Sequence, residues 1–159
     1  MPLLNAGDTF PDLDVTLVGG GTLHVPTDLS GGFGVVLFNR GAWCPYCNAQ
    51  LSGFQRVKPQ LDELGVSVVS LSVDNEEDAA EAVQKQQLTF PVGHSADAGQ
   101  LAELTGAFVN PDPVFVQATG FVLAPDGTVL LSAYSSGAIG RITGADTVGM
   151  IRHVKEQSG

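Results

Sequence analysis

Two segments in the first half of the chain have the pattern of buried strands. Residues 33–39 are FGVVLFN and residues 66–73 are VSVVSLSV. Short runs rich in β-branched residues and preceded by glycine are typical of central strands that are covered on both faces. The sequence therefore predicts a sheet whose middle is formed by these two segments.

Apolar residues at three- and four-residue spacing follow the first of these runs. They are Leu51, Phe54, Val57, Leu61 and Leu64. This spacing predicts one amphipathic helix from residue 44 to residue 65, which Pro59 kinks but does not end. Capping signals and further periodic segments predict three more helices, over residues 74–87, over residues 95–105, and from Thr143 towards the end of the chain.

Short β-rich segments separated by turn residues predict two hairpins. One joins residues 15–18 to 22–25 through three glycines, and the other joins residues 120–124 to 128–134 through a Pro-Asp-Gly turn. Two prolines within residues 110–116 favour an irregular connection or an edge strand. This order of elements predicts an α/β fold in which a central mixed β-sheet has helices on both faces and an N-terminal β-hairpin extension.

Composition and charge limit the classes of partner. The length of 159 residues and a hydrophobic content of 43% suit one domain, so we expect residues 1–159 to fold as a single domain. A net charge of −10 without a basic cluster argues against nucleic acid and anionic membrane surfaces as partners. Because the first residues lack the basic and apolar regions of an export signal, we expect a cytoplasmic protein.

The only two cysteines, Cys44 and Cys47, enclose Pro45 and Tyr46 where the first helix is predicted to begin. A helix N-terminus lowers the pKa of a thiol, and Pro45 suits the first helical position. Residues three apart share a helix face, so the two sulfurs can form a disulfide. The motif therefore predicts thiol redox chemistry, with Cys44 attacking because its position at the cap is expected to be nearer solvent, and Cys47 resolving.

The neighbours of the motif allow more than one interpretation. Trp43 is either part of an apolar docking surface beside the disulfide or a core residue at a strand end. Arg40 and Tyr46 are candidates for stabilising a thiolate or binding a peroxide oxygen, although Arg40 also suits a solvated strand end. Zinc requires four ligands, and we expect neither metal nor cofactor because the three histidines are scattered. They are His24, His94 and His153.

Three segments along nearly the whole chain carry a family resemblance: residues 7–13 (GDTFPDL), 72–74 (SVD) and 120–127 (GFVLAPDG). They resemble the alkyl hydroperoxide reductase/thiol-specific antioxidant (AhpC/TSA) family, the peroxiredoxin-like branch of the thioredoxin superfamily. Residues 40–47 (RGAWCPYC) are similar to a subgroup that combines the peroxiredoxin frame with a dithiol motif. The resemblance implies a thioredoxin-like fold, with a peroxidatic Cys44.

Several positions depart from the pattern of that family. Leu37 and Gly41 stand where typical members have Pro and Thr, so the hydroxyl that positions peroxide is missing. Gln117 and Ala118 occupy the region in which an Arg is expected, shortly before the late strand. Thr119 takes the place of the cis-proline that faces the disulfide in thioredoxins, and we expect it to lie across from the attacking cysteine.

Three functions are compatible with these residues. In the first, the Cys44 thiolate attacks a peroxide and becomes a sulfenic acid, which Cys47 converts to a disulfide. A thiol donor such as a thioredoxin- or glutathione-type system then reduces that disulfide. The second is a thioredoxin-like protein disulfide reductase, and the third is a non-enzymatic redox-sensing or binding module. A homodimer is a further expectation, because peroxiredoxin-like chains often associate.

Overall fold

A five-stranded mixed sheet forms the centre of the computed structural model, which describes residues 3–29 and 31–158. The strands are β1 (Leu13–Thr16), β2 (Thr22–Val25), β3 (Phe33–Phe38), β4 (Val66–Leu71), β5 (Val92–Gly93), β6 (Val109–Pro111), β7 (Val114–Val116), β8 (Thr119–Leu123) and β9 (Val129–Tyr134). The helices are α1 (Pro45–Arg56), α2 (Lys58–Glu63), α3 (Glu76–Gln86), α4 (Ala98–Thr105) and α5 (Gly144–Ser158). The order of the central sheet is β5-β4-β3-β8-β9, with β3 parallel to β4 and antiparallel to β8. The predicted central mixed sheet is therefore confirmed.

The side chains of β3 alternate between two hydrophobic cores, because successive residues of a strand point to opposite faces. Val36 and Phe38 lie in the core beneath the β1-β2 hairpin and α4. Val35 and Leu37 lie in the core beneath α1 and α5. All four side chains are fully buried. Helices thus cover both faces of the sheet, as predicted, and the N-terminal hairpin completes one of the two layers.

The helix predicted over residues 44–65 is interrupted. α1 ends at Arg56 and α2 starts at Lys58, with Val57 forming the boundary of both. Pro59 lacks a backbone N–H, and its ring would clash with the carbonyl group four residues earlier if one helix continued through it. The residue lies instead in the first turn of α2, where proline is tolerated. The predicted kink is therefore wrong, and a break occurs there.

The start of α3 also differs from the prediction of a helix from residue 74. Asn75 is the N-cap, and its side-chain oxygen accepts a hydrogen bond from the Asp78 backbone N–H at 2.8 Å. Asp74 is therefore outside the helix. Its carboxylate accepts a hydrogen bond from the Ala42 backbone N–H at 2.8 Å, just before the cysteine motif.

The remaining connections agree with the sequence patterns or refine them. The β1-β2 and β8-β9 hairpins are confirmed, with β1 shifted towards the N-terminus from the predicted segment. Residues 110–116 take part in a small antiparallel β6-β7 hairpin instead of an irregular connection. Among the described helices, none has the length and apolar character needed to cross a membrane.

A close contact between α1 and α5 brings the loop before α5 towards the cysteines. A Cβ atom at Gly144 would lie 2.7 Å from Val57 Cγ2 and 2.9 Å from the Gly53 carbonyl oxygen. Only glycine allows the two helices to approach this closely without a shift. The Thr143 hydroxyl accepts a hydrogen bond from the Asp146 backbone N–H at 3.0 Å, which confirms the predicted cap of α5. The end of the loop before α5 is thereby fixed beside α1, where Gln50 also donates to the Ile142 carbonyl.

Candidate active site

The two cysteines lie at the N-terminus of α1 as free thiols. Cys44 is the N-cap, Pro45 is the first helical residue, and Cys44 Sγ accepts a hydrogen bond from the Cys47 backbone N–H at 3.3 Å. This sulfur therefore lies at the positive end of the helix dipole. Cys44 is 0% exposed and Cys47 is 1% exposed. These fractions do not separate the two thiols, but Cys47 lies deeper in the protein than Cys44, in line with the expectation that Cys44 is nearer solvent, and the thiols also differ in their surrounding charges and hydrogen bonds.

These surroundings shift the two pKa values in opposite directions. Burial raises the pKa of Cys44, but hydrogen bonds from the Cys47 thiol and backbone N–H, the charge of Arg141 and a hydrogen bond from Arg40 outweigh it, so the pKa lies below its ordinary value. Burial and the hydrogen bond to Cys44 raise the pKa of Cys47, and they outweigh the lowering effects of Arg141 and of the Arg40 backbone N–H. The thiolate therefore forms at Cys44, where the Cys47 thiol stabilises it.

An arginine that is remote in the sequence lies beside both sulfur atoms. Arg141 Nη2 is 2.9 Å from Cys47 Sγ and 3.7 Å from Cys44 Sγ. The same guanidinium donates through Nη1 to Gln50 Oε1 at 2.7 Å and through Nε to the Ala138 carbonyl at 2.6 Å. Because the guanidinium is planar and rigid, these contacts fix the orientation of the Arg141 side chain towards the thiols. Arg141 is a site residue that the sequence motifs did not predict.

The loop that carries Arg141 is attached to α1 and to the sheet. Gln50 both accepts a hydrogen bond from Arg141 and donates one to the Ile142 carbonyl at 2.9 Å. At the start of the loop, the Ser135 backbone N–H donates to the Ala118 carbonyl at 2.9 Å. In the sequence, position 141 is marked only as a basic residue in a glycine-containing loop before a capped helix. No spacing rule connects this position to the cysteine motif.

Arg40 contacts the pair from the segment just before the motif. Its guanidinium carbon lies 5.1 Å from the Trp43 ring centroid and 5.0 Å from that of Phe115, which are cation–π distances. Nε donates to Gln117 Oε1 at 3.0 Å, and Nη1 lies 3.9 Å from Cys44 Sγ. Arg40 is therefore held beside the attacking sulfur, and the interpretation as a solvated strand end is wrong.

Trp43 lies at the surface of the site and explains one departure from the family pattern. Its side chain is 56% exposed, so its interpretation as a core residue is wrong. The ring packs edge-on against Phe115 with centroids 5.1 Å apart. A Cβ atom at Gly41 would lie 2.1 Å from the indole nitrogen. The indole thus occupies the space of the side chain that a Thr at position 41 would need.

The structure places the other two expected site residues without showing a role for them. Tyr46 is 53% exposed and borders a groove of about 400 Å³ that Arg141 also lines. Thr119 is buried at the start of β8 opposite Phe38, and its hydroxyl donates to the Gln117 carbonyl at 2.9 Å. The proposed actions of Tyr46 on a thiolate or peroxide, and of Thr119 across from the attacking cysteine, stay predictions.

The donors around the sulfurs suit an anionic ligand or transition state. Guanidinium and backbone N–H groups favour a thiolate and any oxygen on which negative charge develops. Within residues 3–29 and 31–158, no group of three or more His, Cys, Asp or Glu side chains is placed to hold a metal ion. The arrangement can therefore hold a reactive thiolate and stabilise charge on an attacked oxygen with protein groups.

Comparison with known proteins identifies the family. The model of the AhpC/TSA family matches residues 6–132. The chain belongs to the AhpC/TSA family. A peroxiredoxin from Treponema denticola is 31% identical to this family member over 147 residues, which cover 89% of this chain and 68% of the relative. The thiol-disulfide oxidoreductase ResA of Bacillus cereus is 31% identical over 129 residues, which cover 80% of this chain and 68% of the relative.

Solved structures agree with this assignment. The peroxidoxin BcpB of Mycobacterium tuberculosis superposes with a TM-score of 0.82 at 23% identity, covering 95% of this chain and 98% of that protein. The predicted thioredoxin-like fold of this AhpC/TSA family member is thereby confirmed. The peroxiredoxin relatives also confirm the prediction of an antioxidant thiol oxidoreductase that is an enzyme. The disulfide-reductase and redox-sensing alternatives are not favoured.

Proposed function

We propose that this enzyme reduces peroxides through Cys44 and that Cys47 is its resolving cysteine. The observation that carries the proposal is the position of Cys44 Sγ at the N-terminus of α1, where it accepts the Cys47 backbone N–H and lies 3.7 and 3.9 Å from the nitrogens of two guanidinium groups. A lowered pKa supplies the nucleophilic thiolate, whereas a raised pKa keeps the second thiol protonated until it is needed. The peroxiredoxin relatives, which match 89% of this chain, favour peroxide as the substrate.

In the first step the Cys44 thiolate attacks one oxygen of the peroxide. The S–O bond forms as the O–O bond breaks, and the leaving oxygen takes a proton to become an alcohol or water. Arg141 and Arg40 have nitrogens 3.7 and 3.9 Å from Cys44 Sγ, so their donors can reach an oxygen held at the sulfur. Such donors stabilise the negative charge that develops on the two oxygens. They take over the task of the missing Thr hydroxyl.

In the second step the Cys47 sulfur attacks the Cys44 sulfenic acid, and a disulfide and water result. A thiol donor of thioredoxin or glutathione type then reduces the disulfide by exchange. Trp43 precedes the motif and Tyr46 lies within it, and both side chains are more than half exposed, which supports a docking role for them towards that donor.

We also infer how the chain is organised and where it acts. Residues 1–159 form a single domain that works in the cytoplasm without a nucleic-acid or membrane partner, as the net charge of −10 favours. Exposed apolar side chains around the site support a homodimer. They are Val114 and Ile139. Analytical ultracentrifugation of the reduced protein tests the dimer.

Stopped-flow fluorescence tests the peroxidase function, because Trp43 is the only tryptophan and adjoins Cys44. The reduced protein is mixed with hydrogen peroxide and, separately, with oxidised glutathione. We expect a rapid phase whose rate increases with peroxide concentration, its loss in Cys44→Ser, and its retention in Cys47→Ser without the later phase of disulfide formation. A peroxide rate equal to that of free cysteine, combined with a rapid reaction with oxidised glutathione, would contradict the proposal.

A further inference from the structure

A small cavity borders Cys47 between α1, α3 and the ends of β4 and β5. We call it the Cys47 chamber. Its volume is about 20 Å³, and the polar side chains in its wall come from five residues besides the thiol. They are Asn39, Asn48, Ser70, Ser72 and Asp74. The position of the chamber gives it direct access to the resolving cysteine.

Three buried polar atoms in the described chain have no hydrogen-bond partner, and all belong to residues that line this chamber. They are Asn39 Oδ1, Asn48 Oδ1 and Ser70 Oγ. Buried polar atoms are normally satisfied by protein or by an ordered water. A buried water needs at least about 10–15 Å³ of space and two to four polar partners. The Cys47 chamber provides both the space and the partners.

Asp74 connects the chamber with the outside of the protein. Its side chain is half-buried, and Asp74 Oδ2 accepts the Ala42 backbone N–H at 2.8 Å. The Asn48 amide donates to the carbonyl of the same residue, Ala42, at 3.0 Å. Asp74 is the one charged residue in the described wall of the chamber. The carboxylate is thus placed to exchange a proton both with a chamber water and with solvent.

The other ionisable groups that face Cys47 cannot take its proton during disulfide formation. Arg40 and Arg141 are permanently protonated cations. Cys44 carries the hydroxyl of the sulfenic acid at that stage and is the electrophile. The Cys47 thiol is buried and still protonated, so its proton must leave through a group on another side. Asp74, in the wall of the chamber, is such a group.

We propose that the Cys47 chamber holds an ordered water molecule, which passes the proton of the Cys47 thiol to Asp74 as the disulfide forms. This inference rests on the proposed peroxidase function. The S–S bond forms as the S–O bond of the Cys44 sulfenic acid breaks, and the hydroxide leaves with the bonding electrons. That hydroxide takes a proton from solvent to become water. The proton of Cys47 passes through the chamber water to Asp74 and then to solvent.

The variant Asp74→Asn tests the relay, because asparagine keeps an oxygen that can accept the Ala42 N–H but cannot take up a proton at neutral pH. Asp78→Asn is the matched control, since it removes the same charge from an exposed position on α3. After mixing with peroxide, we expect the first fluorescence phase of Asp74→Asn to equal that of the wild type. The second phase should slow by roughly 100-fold or more, as for loss of a general base. Asp78→Asn should leave both phases unchanged.

The pH profile of the second phase separates proton transfer from a structural effect. In Asp74→Asn we expect the second phase to accelerate as the pH rises and the Cys47 thiol ionises without a base, so that the difference from the wild type shrinks at high pH. A second phase in Asp74→Asn with the rate and pH profile of the wild type would overturn the relay. A wild-type protein without any peroxide-dependent first phase would instead contradict the peroxidase function.

A high-resolution crystal structure of the reduced wild-type protein tests the water itself and depends on no variant. We expect electron density in the chamber within hydrogen-bond distance of at least two of the three unpartnered atoms. A dry chamber would overturn the inference even if the peroxidase activity is present.

Discussion

Two arginines reach the cysteine pair by different routes, and they hold it in different ways. Arg40 precedes Cys44 by four residues, its guanidinium packs against two aromatic rings, and it reaches that sulfur only at 3.9 Å. Arg141 follows Cys44 by 97 residues, comes from the loop before α5, and lies 2.9 Å from Cys47 Sγ. The arginine that adjoins the motif in sequence therefore has the weaker contact with the sulfurs.

The difference separates two tasks within one site. The charge of Arg141 lowers the pKa values of both thiols, and its orientation is fixed by Gln50 and by the Ala138 carbonyl. Arg40 spreads its guanidinium over the rings of Trp43 and Phe115, which organises the outer surface next to the motif. We therefore expect removal of Arg141 to affect the chemistry more strongly than removal of Arg40.

The largest effect is expected from Arg141→Met. The pKa of Cys44 should rise, and the rate constant of the first phase with hydrogen peroxide should fall by about 100-fold, the usual cost of one donor to a developing oxyanion. Stopped-flow fluorescence measures the rate. Arg152→Met is a suitable control, because it removes an equal charge from an exposed position on α5. Equal rates in Arg141→Met and Arg152→Met would show that Arg141 has no part in the chemistry.

A smaller effect is expected from Arg40→Met. Loss of a part-exposed charge contact is worth about 1 kcal/mol or less, so the same rate constant should fall by roughly fivefold. The emission spectrum of Trp43 should also shift, because the indole loses the guanidinium that stacks on it. A larger loss of rate in Arg40→Met than in Arg141→Met would reverse the assignment of the two tasks.

Local patterns were sufficient for most of the fold and for the reacting pair. The apolar run at residues 33–39 predicted β3, and the residues flanking Pro45 predicted a helix that starts at the cysteines. Two helix starts were less predictable, because more than one residue could begin the helix. Asn75 caps α3 in place of Asp74, whose carboxylate binds the Ala42 N–H, and Pro59 begins a new helix where the apolar stripe suggested continuity.

The rest of the site depends on contacts between distant segments. No periodicity relates Arg141 to Cys47, since their contact requires the close approach of α5 to α1 and the bridge through Gln50. The sequence gives only slight indications of the Cys47 chamber. Ser70 is a fully buried polar residue of β4, and Asn39 ends the apolar run at residues 33–39, but only the fold brings them together.

The most direct test of the central claim is the pH dependence of Cys44 alkylation by iodoacetamide, with mass spectrometry to identify the modified thiol. Because the folded pKa of Cys44 lies below the ordinary thiol value of 9.0, alkylation should remain fast as the pH falls below that value. It should decline only as the pH passes through the lowered pKa. In urea-unfolded protein the midpoint should return to the ordinary value. A folded midpoint at or above the unfolded one, or first modification at Cys47, would contradict the account.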